Sequence, residues 1–287
     1  GNVTLTNPGN TVNSASFTAG EDADFYDTSA LEIDGASVDG TLTLTVASGD
    51  ITQGSGGSSG ITAGAVNATA TSGAVTLDND NNSIGAVTFS ASTDATLHDA
   101  SSVEIDGVSV GDANTFTIAD TGGNITQGSG SGNAISAPTL SASATNGFLN
   151  LNNADNAVSD ASLSSSGNST LYDSQDLAIT GISVGGNLTL LTTGNLTFES
   201  SAQLSDGNLL AVAGWDGTTT SRTSIIGNGA YGNNSGSVTI GGDSAEDDVA
   251  VGSASGTTTL AGDTVTLDAE NGYAQLGYHG AGGGDIY

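Results

Sequence analysis

Short stretches of this chain alternate apolar and polar residues one by one. The runs VTLTN at 3–7, LTLTV at 42–46, AVTFSA at 86–91 and LTLLTT at 188–193 are the clearest. Alternation of period two puts successive side chains on opposite faces of an extended backbone, which predicts half-buried β-strands. No long stretch carries apolar positions at helical spacing behind a capping signal. Strong helix formers are also scarce, with six Glu, no Met and no Lys. The expected fold class is all-β.

The strand-like runs recur. VTLTNPGNTV (3–12) matches VTLDNDNNSI (75–84) and LNLNNADNAV (149–158). DFYDTSALEIDGASV (24–38) matches ATLHDASSVEIDGVSV (95–110) and STLYDSQDLAITGISV (169–184). Tyr26, His98 and Tyr172 share one slot, at spacings of 72 and 74 residues. The hexapeptide ITQGSG stands at 51–56 and again at 125–130, while LTFESS at 196–201 fills the third slot without the Gln-Gly pair. A glycine-rich loop shaped around one ligand is needed once. Its return on the period of the whole unit therefore reads as architecture.

Separate sandwich domains would show linkers between copies, and propeller blades would show their own signatures; both are missing. The pattern predicts a right-handed parallel β-helix, or β-solenoid, of about twelve coils. Each unit is expected to hold three coils of about 24 residues, stacked at roughly 4.8 Å into a rod of about 55–60 Å. Val75 and Leu149 are expected to point into the core. Residues 1–205 hold the three repeats, and 206–287 are expected to continue the solenoid with longer glycine-rich coils. Asn7, Asn79 and Asn153 coincide in the aligned copies, as do Asn10, Asn82 and Asn156. Asparagine tolerates the left-handed conformation and bonds its own turn backbone, so all six are expected at coil corners. Both chain ends are expected to be cuts through a continuing solenoid, and no signal-peptide pattern opens the sequence.

Charge narrows the function. Against 31 acidic residues stands one basic side chain, Arg222, for a formal net charge of −30. Nucleic acid, phosphate and anionic membranes need Lys or Arg to offset their own charge, so none is an expected partner. No apolar run is long enough to insert in a membrane as a helix. Without cysteine there is neither a disulfide framework nor a thiolate metal site.

Certain motifs resemble a known group of proteins. The coil starts G(D/N)ITQ, the run AVTLDN…NSIGAVTF and the late motif GYAQLGYHGAGGGDI are similar to the filamentous haemagglutinin-like exoproteins of bacteria. The resemblance covers most of the chain. It implies the extracellular repeat shaft of a large surface adhesin of the two-partner-secretion type, and it transfers no active site. That family's secretion domain pairs Asn-Pro motifs near its start. Here NPGN (7–10) lies inside a repeat and has no second motif, so the chain is not read as that domain.

Candidate chemistry is sparse. His98-Asp99 invites a triad reading, but Tyr26-Asp27 and Tyr172-Asp173 fill the same slots, so the ring position does not need imidazole chemistry. The recurring Asp is expected to fix a turn. His279 has a weaker claim still. Asp78, Asp80 and Asn82 have the D-x-D-x-N spacing of calcium loops, yet Ser83 stands where an EF-hand needs Gly. The segment is read as a solvated turn, with weak calcium binding as the alternative; no other cofactor is expected. Asp243, Glu246, Asp247 and Asp248 form a second acidic stretch where cations could adsorb. Trp215 and Arg222 are the one non-repetitive aromatic–cationic pair and a candidate binding spot for a sugar or partner loop. A polysaccharide-active β-helix enzyme is the third reading and the weakest: such grooves carry aromatic platforms and basic residues, and here Trp215 is the single Trp and Arg222 the single basic side chain.

The expected function is a non-catalytic, secreted structural shaft of a bacterial cell-surface adhesin or filament. Expected partners are other copies of itself, flanking solenoid segments, and a host or neighbouring cell surface with its glycans. The alternative is a self-assembling filament subunit whose β-helices stack end to end.

Overall fold

The structure, a computed structural model, describes residues 1–221, 223–225, 235–242, 248–269 and 272–287. It is an all-β parallel β-solenoid of about twelve turns with almost no helix. The chain divides into two compact units, Gly1–Asn146 and Gly147–Tyr287.

In the first unit two parallel ladders rise side by side. One starts at Val3–Leu5, pairs with Ala23–Asp27, then with residues 42–46, 65–70, 86–91 and 104–110, and reaches Ile125–Gln127. The other starts at Ser14–Ala19 and runs through residues 31–38, Ile51–Gln53, Val75–Leu77, Ala95–Asp99 and Thr115–Asp120 to residues 139–144. The strand Leu31–Val46 serves both ladders, turning a corner where its register shifts between Val38 and Thr41. Inward positions carry the apolar residues the alternation marks: Leu42, Leu44, Ile51, Val66, Val75, Leu97 and Ile118 are all fully buried. Each such side chain contributes about 1.5–3 kcal/mol when taken from water. Phe89 of one ladder meets Phe116 of the other edge to face, ring centres 6.4 Å apart, so the two sheets close on one thin core.

Register corrects the expected coil. Six turns separate Val3 from Gln127, so a turn takes (127 − 3)/6, about 21 residues, rather than 24. Val3 lies on the first ladder, but its repeat equivalent Val75 lies on the second; Ala23 and Ala95, and Leu42 and Phe116, are split the same way. The first repeat therefore spans three and a half turns, not three, and the second copy begins on the opposite side of the solenoid from the first. The physical reason is the coil's outline. Two straight sides with tight corners need fewer residues than the longer coil assumed from sequence.

The second unit keeps the parallel pattern. One ladder runs from Leu149–Leu151 through Ser169–Asp173, Leu188–Thr192, Leu209–Val212 and Thr257–Ala261 to Asp285–Ile286. A second runs from residues 160–165 through Leu177–Val184, Leu196–Phe198 and Val238–Gly241 to Val265–Asp268. A third, shorter sheet joins Ala202–Leu204, Asp248–Ser253 and Tyr273–Leu276. Leu149 is buried, as expected of an inward strand position.

Candidate functional site

The buried polar residues are the most organised chemistry in the molecule. Asp27, Asp99 and Asp173 sit in equivalent places at the ends of strands, all fully or almost fully buried. Each carboxylate does the same two things. One oxygen accepts from the backbone N–H two residues on: Ser29 at 2.7 Å, Ser101 at 2.7 Å and Gln175 at 2.8 Å. The other accepts from an N–H fifteen residues earlier: Val12 at 2.7 Å, Ile84 at 2.9 Å and Val158 at 2.9 Å. The Asp thus turns the chain after its own strand and pins the preceding coil. Burial raises Asp99 to about 6 and Asp173 to about 8, with the backbone donors pulling in the opposite direction.

Asparagine and glutamine complete this interior. Asn82, fully buried, accepts at Oδ1 from Gln53 Nε2 (2.6 Å) and Ile61 N (2.8 Å). Its Nδ2 donates to Leu77 O at 3.2 Å, His98 O at 2.9 Å and Gln53 Oε1 at 3.0 Å. Asn79 donates to Gly54 O at 2.9 Å and Gly56 O at 2.8 Å, closing the QGSG loop from the next coil. In the first copy Asn10 bonds Leu5 O and Tyr26 O, both at 3.0 Å, and Asn7 accepts from Gly9 N at 2.8 Å. In the third copy Asn156 donates to Tyr172 O at 3.0 Å and Asn153 accepts from Asp155 N at 3.0 Å. All six stand at coil corners, but the expected left-handed backbone is absent. Among the described residues the one non-glycine with positive φ is Ala113. Asn7, Asn79 and Asn153 bond their own turn backbone as expected, while Asn10, Asn79, Asn82 and Asn156 also bond a neighbouring coil, a role that shows only once the folded partners are known.

The repeated hexapeptide has a structural cause. Gly35 and Gly107 have φ of +111° and +125°, and a Cβ at either would lie 2.5 Å from a carbonyl of the loop that follows ITQ, Ser58 O or Gly132 O. Loop and bulge glycine need each other. In the third copy, Phe198 replaces the Gln and is fully buried. The polar network can give way to an apolar side chain when its partners change with it.

The other sequence candidates fall in different places. Asp78 and Asp80 are exposed, whereas the oxygen of Asn82 is spent on Gln53 and Ile61. The three side chains therefore do not converge on a cation. Among the described residues no cluster of three or more His, Cys, Asp or Glu is placed to hold a metal. His98 points outward to Asp80, Nδ1 to Oδ1 3.3 Å, while the neighbouring Asp99 points inward. They occupy opposite faces of one strand and form no dyad. His98→Tyr, the residue of the other two copies, is expected to leave the free energy of urea unfolding within about 0.5 kcal/mol of the parent; a larger loss would show that the His98–Asp80 contact contributes to stability.

Trp215 is buried rather than offered to solvent. It packs with Leu191, Leu210, Val212 and Ile225, its ring lies 4.9 Å from that of Tyr172, and Nε1 donates to Thr219 O at 2.7 Å. Arg222, Asp243, Glu246 and Asp247 lie outside the described residues. Asp248 accepts from Tyr273 N at 3.2 Å, and His279 stacks near Tyr273 at 5.1 Å. A groove of about 420 Å³ in the second unit is lined partly by Asp176, Asn195 and Ser237. Its polar atoms bond rung to rung: Asp176 accepts from Asn195 N at 2.7 Å, and Asn195 from Ser237 N at 3.1 Å.

Residues 20–90 match a family model described as repeats of unknown function (DUF5649). The matched stretch is close to one repeat long. No curated protein and no solved structure matches the chain.

Proposed function

We propose that this chain is a length of extracellular structural shaft from a bacterial cell-surface adhesin or filament, without catalysis of its own. One observation carries the reading. The polar side chains that recur with the repeat are consumed in holding coil to coil, as the three equivalent Asp residues illustrate. A chain that invests its buried polar groups this way is built to persist in one shape. The parallel β-solenoid and the match to a repeat family support a structural role, and the acidic surface keeps such a segment solvated.

The test is surface labelling of intact cells that produce the protein, with an antibody raised to residues 1–146. The expected result is labelling of unbroken cells, loss of that label after external protease, and extended structures at the labelled sites in electron micrographs. Label that appears only after lysis would overturn the proposal.

A further inference from the structure

The second copy carries a buried acid, Asp120, at a position where the other two have none. Thr115–Asp120 lies in register on Ala95–Asp99, which sets Asp120 directly over Asp99. At the same place the first copy sets Val46 over Asp27, and the third sets Thr192 over Asp173. Adjacent rungs of a parallel ladder are about 4.8 Å apart and their inward side chains point the same way, so the two carboxyl groups are neighbours.

The hydrogen bonds of the pair are incomplete. Asp99 accepts from Ser101 N, Ser101 Oγ and Ile84 N. Asp120 Oδ1 accepts from Gly122 N at 2.8 Å and Gly123 N at 2.7 Å. Asp120 is fully buried, and its Oδ2 has no partner. An unpaired carboxylate oxygen beside a second carboxylate, away from water, is costly if both groups are ionised.

We propose that Asp99 and Asp120 form a buried proton-binding site, in which one proton on Asp120 Oδ2 is donated to the Asp99 carboxylate. The pair then carries one negative charge in place of two, and the orphan oxygen becomes a donor with an acceptor beside it. On loss of the proton to water, both carboxylates ionise and repel. Among the described residues no other ionisable group faces the pair. Strand 135–144 presents Ala142 and Ala144, the turn after Asp120 is Thr121-Gly122-Gly123-Asn124, and strand 103–110 turns Val103, Ile105, Val108 and Val110 inward. Its Glu104 is exposed, and Asp106 bonds Asn133 outside the core. A divalent cation fits poorly, since it wants six or more oxygens and two carboxylates supply few that are free. Burial raises both groups, and the charge of Asp120 adds to the cost of ionising Asp99.

The experiment is a carboxyl-carbon NMR titration of the whole chain from pH 4 to 9, run on the parent, on Asp120→Val and on Asp120→Asn. In the parent, the Asp99 and Asp120 signals are expected to move together, with one proton lost above pH 5.5. In Asp120→Val, which restores the arrangement of the first copy, the Asp99 midpoint is expected to fall by at least one pH unit, a tenfold loss of proton affinity. Asp120→Asn keeps the shape and supplies a permanent donor, so it carries the same readout if the valine variant folds poorly. Its Asp99 midpoint is also expected to fall. Independent titration of both groups below pH 5, or an Asp99 midpoint unmoved in both variants, would overturn the proposal. So would carboxyl shifts produced by calcium at constant pH, which would make the site a cation site.

Discussion

Replacing Asn82 by alanine is expected to destabilise the first unit by about 3–5 kcal/mol, although the residue looks like one more polar turn position. The substitution removes little volume. It strands the Ile61 N–H and takes a donor from the Leu77 and His98 carbonyls, and it strips one of two partners from each end of the Gln53 amide, which keeps only Ser59 O and Asn79 N. Each buried group left without a partner costs about 1–3 kcal/mol, and the groups share one network, so their losses do not simply add. The neighbouring Asn81→Ala serves as the control. Asn81 is exposed and bonds only the Asn79 side chain, at 3.0 Å, so its change should stay near 0.5 kcal/mol. Urea unfolding gives the size of the effect, and amide exchange at Ile61 gives its location. Equal losses in the two variants would mean that the Gln53–Asn82 network contributes nothing special.

The strands were legible because their alternation is local and strict. Val75 and Leu149 are buried as their runs require, and the three aligned copies do adopt equivalent hydrogen bonds at Asp27, Asp99 and Asp173. The spacing of 72–74 residues was also plain, but spacing alone does not say which strand pairs with which. Register is set by the length of each corner, and an average turn of about 21 residues moves Val75 to the opposite ladder from Val3. Burial of polar side chains was invisible for a related reason. Gln53 meets Asn82 twenty-nine residues later, and neither residue type signals a buried place on its own. Asp120 is the sharpest case. Its equivalents in the other copies, Val46 and Thr192, are also inward, but one acid among 31 carries no mark of burial in the sequence, and its meaning depended on finding Asp99 beneath it. Trp215 misled in the opposite sense. A lone Trp near a lone Arg suggests a contact surface, but the ring closes a small core against Tyr172.

In the second unit, stability is expected to fall as pH rises from about 4 to about 8, with a substantial part of the fall beyond the range where surface acids titrate. Asp173 carries this effect. Burial lifts it from the ordinary carboxyl value of 3.8 to about 8 in the folded chain. Below 3.8 both folded and unfolded chains hold the proton, and the contribution is fully present. Between 3.8 and 8 the unfolded chain has released its proton while the folded chain retains it, so each step in pH favours unfolding. Above 8 both are ionised and the loss is complete. One such group changes stability by at most about 1.4 kcal/mol per pH unit. Mutual repulsion within a net charge of −30 acts in the same direction, but most of it develops as ordinary carboxyls ionise near pH 4–5, and salt screens it. The two contributions therefore separate at about 1 M salt, where screening extends only about 3 Å. Trp215 reports locally, since it stacks on Tyr172, the residue before Asp173. Unfolding followed by its fluorescence at high salt should still show a decline between pH 6 and 8. Asp173→Asn should be less stable throughout, because an amide cannot accept from both Val158 N and Gln175 N, yet it should show no decline over that interval. A parent curve flattened by salt alone, or a variant that keeps the parent slope, would place the pH dependence on the surface and not on this buried acid.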